Sequence, residues 1–394
     1  MAAIRRRHVA VIIAVLLFGI PAYLSMDPSP DSDHSAIWPP ATVPADIPPV
    51  EGPAAEPGVS QYVGDCRPAA ETQIQDADAR DVTLKIATAA PEPSWFVQRL
   101  REAAALVKDQ TAGRVSIKLY PGGVMGSDHQ VLKKMGRDGW ILQGAVFPSA
   151  TLDQVVEALA IYRLPLLFRS ADEVAHVRGI IDPQLHEALR DRCFVSFHFA
   201  GNGFTHLFSR LPVQAEQELD GKNIWNPWDA VSYRFFEALS AIPYPVPMVD
   251  VMVSLQTQQL DVVPASPLAV LLLQWHNYLD YMTDLPLAYS YNVLVINAWA
   301  FSRVTPTDQQ IVATALNAAM IDFDTASFPS YREALQALAE RGYVQQVPAD
   351  PAFHARLETR AHEMTMWTIA NGVLPTDLTL QVLQILDDYR AAAQ

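Results

Sequence analysis

Ten histidines and 43 carboxylates supply raw material for metal or acid–base chemistry, but their spacing does not assemble it. His354 and His362 stand eight positions apart, and neither His-Glu-x-x-His nor Cys-x-x-Cys occurs, so no metal-ligand cluster is implied. No Gly-x-Ser-x-Gly elbow presents a nucleophile. Gly122, Gly123 and Gly126 crowd together, yet no Gly-Lys-Ser/Thr follows, which leaves a phosphate cradle unsupported. An enzyme would have to rest on scattered Asp, Glu and His residues, which are usually solvated or structural. The expectation is therefore no catalytic residue, no metal and no cofactor.

The elements that would position a site are easier to read. Val82, Leu84 and Ile86 alternate as a strand, and Ser94 is placed to cap a helix whose Phe96, Leu100, Ala103, Ala104 and Val107 share one face. Gly113 ends that helix, and Val115, Ile117 and Leu119 alternate again. Ser127 offers a cap for the next helix, with Asp128 favouring its N-terminus electrostatically, and Gly144–Phe147 is apolar enough for a buried strand. Further strands are expected at Phe194–Phe199, Thr205–Ser209, Lys222–Asn226, Pro243–Met248, Leu260–Val263 and Asn292–Asn297. Helices are expected at Trp228–Leu239 and Val249–Gln258. This β-α-β order implies an α/β protein with mostly parallel sheets. After Pro306 the chain reads as helical to its end, broken near Pro348 and Pro375. Two such units linked by more than one crossover would make a hinged pair around a cleft. The expected domains are 82–203 plus 292–325, and 204–291 plus 326–394.

The remainder concerns compartment. Arg5–Arg7 precede a twelve-residue apolar run, Val9–Ile20, so residues 1–25 read as an export signal, with an uncleaved inner-membrane anchor over residues 9–24 as the alternative. Residues 26–81 hold ten prolines and eleven acids with few apolar side chains, which predicts a disordered tether. The formal net charge of −15, more negative once Arg5–Arg7 are removed, argues against nucleic acid or an anionic lipid surface as main partner. The two cysteines, Cys66 and Cys193, could pair in an oxidising compartment, or remain separate as a linker thiol and a small buried side chain.

Several segments carry a family resemblance in order: Leu84–Thr88, Gly113–Gly126, Leu164–Arg169, Asn202–Phe204, Leu219–Lys222, Gly221–Pro227 and Leu255–Asp261. Together they resemble the dicarboxylate-binding type of substrate-binding protein of tripartite ATP-independent periplasmic (TRAP) transporters, over about residues 82–390. Pro264–Pro267, Leu273–His276 and Thr283–Pro286 are similar to a branch with poorly known ligands. The resemblance implies a type II periplasmic-binding fold, with a long helix spanning both domains. It also implies closure on a small-molecule solute in the periplasm and delivery to TRAP-type membrane permease subunits.

The same resemblance exposes departures. The family strand usually reads Gly-Leu-Lys-Ile-Arg-Val-Pro, and its carboxylate-clamping Arg corresponds to Trp225. A Gln-Glu-Asn-Pro segment corresponds to Pro264–Pro267, a polar loop to Phe147–Ser149, and a secondary basic position to Thr205 beside His206. No indole replaces a bidentate Arg–carboxylate pair. Its single N–H and broad face suit stacking or cation–π contact. The implied ligand is apolar, aromatic or cationic rather than a simple dicarboxylate. The implied ligand-binding residues are Trp225, Thr88, Trp95, Phe147, Ser149, Thr205, Trp228, Ser266 and Gln274, with Trp275 as a further wall. The rival expectation is a tethered periplasmic scaffold that kept the fold without solute transport.

Overall fold

The computed structural model describes residues 81–136, 140–226 and 229–392. The expected leader, nearly all of the acidic tether, Cys66 and Trp228 lie outside the described residues. The chain opens with β1 (Val82–Thr88), α1 (Trp95–Gln110), β2 (Val115–Tyr120), α2 (Asp128–Met135), β3 (Gly144–Pro148) and α3 (Ser149–Leu152). A 3-10 turn at Glu157–Arg163 leads to α4 (Ala171–Asp191), β4 (Phe194–Ser196) and β5 (Ala200–Ser209). The next elements are β6 (Asn223–Asn226), α5 (Ala230–Glu237), β7 (Ile242–Pro245), α6 (Val251–Gln256), β8 (Val262–Ala265) and α7 (Pro267–Leu272). The chain then forms β9 (Tyr281–Asp284), β10 (Ala288–Asn297), α8 (Ala298–Ser302), α9 (Pro306–Glu340), β11 (Gln345–Pro348), α10 (Pro351–Ala370) and α11 (Thr376–Ala392).

Local signals explain much of this. Ser94 accepts a hydrogen bond from the Val97 amide and starts α1, which buries Phe96, Leu100, Ala103 and Val107. Gly113 takes φ +83° immediately after that helix. Ser127 and Gln130 form a reciprocal capping box on α2. At Gly123 a Cβ would lie 2.8 Å from Cγ1 of Val249, so the loop before α2 approaches the opposite half of the molecule through a position with no side chain.

Strands run in the order β2-β1-β3-β10-β5-β8-β6-β7. Each end holds the expected parallel βαβ pairs: β1 with β2 and β3, and β6 with β7 and β8. The centre differs from the mostly parallel expectation. β10 lies antiparallel to both β3 and β5, and β5 antiparallel to β8. The two ten-residue strands β5 and β10 carry the chain between the halves in opposite directions, so the halves meet edge to edge at an antiparallel joint. At Gly203 (φ +77°) a Cβ would collide with the Tyr331 ring, which seats the bulged joint on α9.

α9 spans 35 residues, about 50 Å at helical rise. It packs on α1, β5 and α7, thereby touching both halves. Pro329 sits within it, beside Phe328 and Tyr331, which contact Tyr289 and Phe204 of the joint. Cys193 takes part in a disulfide, and the chain's other cysteine is Cys66. Among the described residues no helix is long and apolar enough to cross a membrane.

Candidate functional site

A cavity of about 180 Å³ lies where the two sheet halves face each other. One wall comes from the β3–α3 corner (Pro148–Thr151), Asp128, His129, Arg163 and Pro165. The other comes from Trp225, the start of α5, Val246–Met248 and the β8–α7 corner (Pro264–Ser266), with Trp275. The joint closes its floor through Asn202, Thr205 and Leu287–Asn292. Aromatic and aliphatic surface dominates, interrupted by hydroxyls, amides and the charged groups Asp128, Arg163 and Asp229.

Trp225 is buried on β6, where its Nε1 donates to the Val246 carbonyl at 2.9 Å. Its ring meets Trp275 edge-on at a centroid separation of 5.5 Å. The sole indole donor is therefore spent inside the protein, and what remains for a solute is ring surface. Ser266 borders the cavity while capping α7 through the Ala269 amide. Ser149 borders it from the first turn of α3, and Thr205 does so while donating to the Ala288 carbonyl at 3.2 Å. His206, one position on, faces away: Nδ1 donates to the Thr283 carbonyl, and Nε2 lies 2.7 Å from the Tyr331 hydroxyl. Burial lowers the His206 pKa, so this imidazole does not supply the missing cation.

Four of the expected residues lie off this cavity, for local reasons. Phe147 is fully buried in the core, because alternation along β3 turns it behind the wall that Pro148 and Ser149 form. Thr88 caps the end of β1 by accepting from the Ala90 amide, and shares with Phe147 only a void of about 10 Å³. Trp95 starts α1 and stacks on Phe323 of α9 at 6.1 Å. Gln274 is an exposed turn residue in the left-handed region (φ +59°), facing solvent.

The charged residues of the wall were not legible from any motif. Arg163 ends the 3-10 turn because Pro165 forces Leu164 out of helical conformation (ψ 127°). Its Nη2 pairs closely with Asp153, the residue that ends α3, and lies 3.3 Å from Oδ1 of Asp229. Asp229 comes from the other half of the sheet, where it caps α5 through the Ser232 amide at 3.0 Å. Arg163 and Asp229 are buried and Asp153 is largely covered, and Nε of Arg163 has no partner. Burial opposes the Arg163 charge, but Asp229 and Asp153 outweigh it and raise its pKa. Burial pushes the Asp153 carboxyl up to about 7 against the pull of Arg163, and Asp229 adds to the push. Asp128, also on the wall, is raised by burial although Thr151 donates to it at 3.2 Å. A neighbouring basic residue before the Leu164-Pro165 segment was the one available signal, and nothing in sequence tied it to Asp229.

Two α/β halves joined by crossing strands around a cleft, bridged by one long helix, define a two-domain solute-binding protein. The family model described as bacterial extracellular solute-binding protein, family 7 (DctP), matches residues 86–366, and the chain belongs to that family. That family is one of bacterial extracellular solute-binding proteins. The chain is 29% identical over 196 residues to an uncharacterized protein, y4mM, of Sinorhizobium fredii, covering 49% of this chain and 36% of that protein. It is 22% identical over 215 residues to the 2,3-diketo-L-gulonate-binding periplasmic protein YiaO of Escherichia coli, covering 53% and 64%. These matches thus span about a third and just under two thirds of the relatives' own lengths. Among solved structures it resembles the sugar acid binding protein DctPAm from Advenella mimigardefordensis in complex with galactonate. That likeness has TM-score 0.72 and 15% identity over 79% of this chain and 99% of the other.

Proposed function

We propose that this protein is a periplasmic receptor that closes on a small organic solute and hands it to TRAP-type membrane permease subunits. The cleft is the solute site, and Trp225, Ser149, Thr205, Ser266 and Trp275 contact the solute. Its size is below the ~300–1,000 Å³ usual for drug-sized ligands, so the solute is small. The solute presents an apolar, aromatic or cationic body in preference to two carboxylates. One observation carries this reading: among the described residues Arg163 is the only Lys or Arg on the cavity wall, and two carboxylates already share it. YiaO is a 2,3-diketo-L-gulonate-binding protein and DctPAm was solved with galactonate, and both ligands are acids, which sets the opposing expectation. Contacts from both halves favour the closed state, which is the state a permease would read.

Native mass spectrometry of protein taken from its own periplasm, followed by thermal-shift titration, tests the reading. Aromatic and cationic compounds are expected to stabilise the fold, by about 2.7 kcal/mol at a hundredfold excess over Kd. Stabilisation by succinate and galactonate alone would overturn the ligand class. No co-purifying solute and no shift with any compound would leave the scaffold reading in its place.

A further inference from the structure

We infer that Asp229 is a specificity-determining residue that acts as a built-in carboxylate, occupying the cavity arginine and turning acidic solutes away. The inference rests on the reading of the cleft as the solute site. Arg163 and Asp229 both border the cavity, while Asp153 stands behind the wall. Arg163 follows α3 in the first half of the sheet, and Asp229 follows β6 in the second, so their 3.3 Å contact spans the cleft. Both carboxylates engage the same nitrogen, Nη2. Neither ion pair uses Nη1, and buried Nε lacks a partner altogether. A guanidinium normally binds a carboxylate through two parallel N–H bonds. Here two carboxyl groups crowd one nitrogen while other donors stay unused, an arrangement that favours excluding further negative charge over saturating the arginine.

Asp229 is also fixed in place without Arg163. Its side chain accepts from the Ser232 amide, its own amide donates to Oδ1 of Asn226, and its carbonyl accepts from Nδ2 of Asn226. The positive end of α5 further favours its charge. A solute carboxylate entering the cleft therefore meets one cation already held by the Asp229 carboxylate, and it cannot displace Asp229 without breaking the cap. Two carboxylates brought together on this partly dry wall repel each other, because charge there is screened less than in water.

The test is Asp229→Asn, which keeps the helix cap because Asn caps as well as Asp. Isothermal titration with succinate and with benzoate is expected to show binding tightened about ten-fold or more over wild type. The double variant Arg163→Gln/Asp229→Asn is expected to lose that gain. A folded Asp229→Asn protein, with an unchanged unfolding profile and no gain for either acid, overturns the inference. A gain that survives in the double variant overturns it too, since the effect would then not run through Arg163. Both outcomes are independent of whether wild type binds aromatic or cationic solutes, so this inference and the proposed ligand class fail separately.

Discussion

Two arginines are buried among the described residues, Arg178 and Arg163, and their surroundings differ in kind. Arg178 on α4 is saturated. Nε donates to Asp182 at 3.1 Å, Nη1 to the Tyr289 hydroxyl at 3.0 Å and to Asp324 at 2.8 Å, and Nη2 to the Phe199 carbonyl at 2.6 Å. Asp324, on α9, also accepts from the Gly201 amide and from His198. Burial opposes its ionisation, yet hydrogen bonds from His198 and Arg178 hold its carboxyl below the ordinary range. This cluster ties helix, joint and long helix together with its donors used. Arg163 is the opposite case: two carboxylates crowd one nitrogen, another nitrogen has no partner, and Asp153 is pushed up to about 7. A saturated buried ion cluster is a fastening. An unsaturated one on a cavity wall is the arrangement on which the inferred role of Asp229 rests.

The contrast is sharpest under deletion. Arg178→Gln leaves Asp182 and Asp324 buried without their cation and is expected to cost about 3–5 kcal/mol, read by chemical denaturation. A loss under ~1 kcal/mol would remove the distinction between the two sites, because exposed ion pairs already give that much.

A second, smaller effect concerns pH. The folded-state pKa of Asp153 is raised to about 7, so its native form keeps a proton that the unfolded chain releases near pH 4. The sign follows: its contribution to stability is fully present below pH 4 and is lost as pH rises towards 7. Asp153→Asn removes that loss. Relative to wild type, the variant should gain on the order of 2 kcal/mol of stability between pH 5 and pH 8. Parallel pH profiles for the two proteins would show that Asp153 is ionised throughout and that the cluster is not over-supplied with negative charge.

The smallest effect tests saturation itself. Tyr289→Phe removes one acceptor from Arg178 and leaves the others, so a loss of about 1 kcal/mol is expected by the same denaturation measurement. A loss as large as that of Arg178→Gln would make the tyrosine, and not the aspartates, the centre of that cluster.

Much of the fold was legible because its signals are local. Alternation in Val82–Ile86, the cap at Ser94 and the stop at Gly113 each act within a few residues, and they mark the elements found there. The antiparallel joint was not legible, since the pairing of β5 with β10 joins segments about 85 residues apart and leaves no periodic trace. The site divides in the same way. The family position of Trp225 and the corners at Ser149 and Ser266 border the cavity, because short turns between strand and helix point there. Trp95 and Phe147 were implied by the family resemblance, yet one packs on α9 and the other lies behind β3. Arg163 and Asp229 escaped notice because each is unremarkable alone, and their meaning lies in a contact across the cleft.

Pro329 gives the long helix a mechanical character. Without an amide hydrogen it leaves the Thr325 carbonyl without its usual helical bond, so α9 is softest at that rung. The rung lies beside Phe328 and Tyr331, directly against the strands that cross between the halves. A stiff rod fastened to both halves would resist any change in their angle along its whole length. A rod with one compliant rung at the crossing works as a leaf spring, storing little energy on closure and returning little on opening. The rate at which the cleft reopens would then be governed by what the solute grips, and the backbone would add almost no recoil of its own.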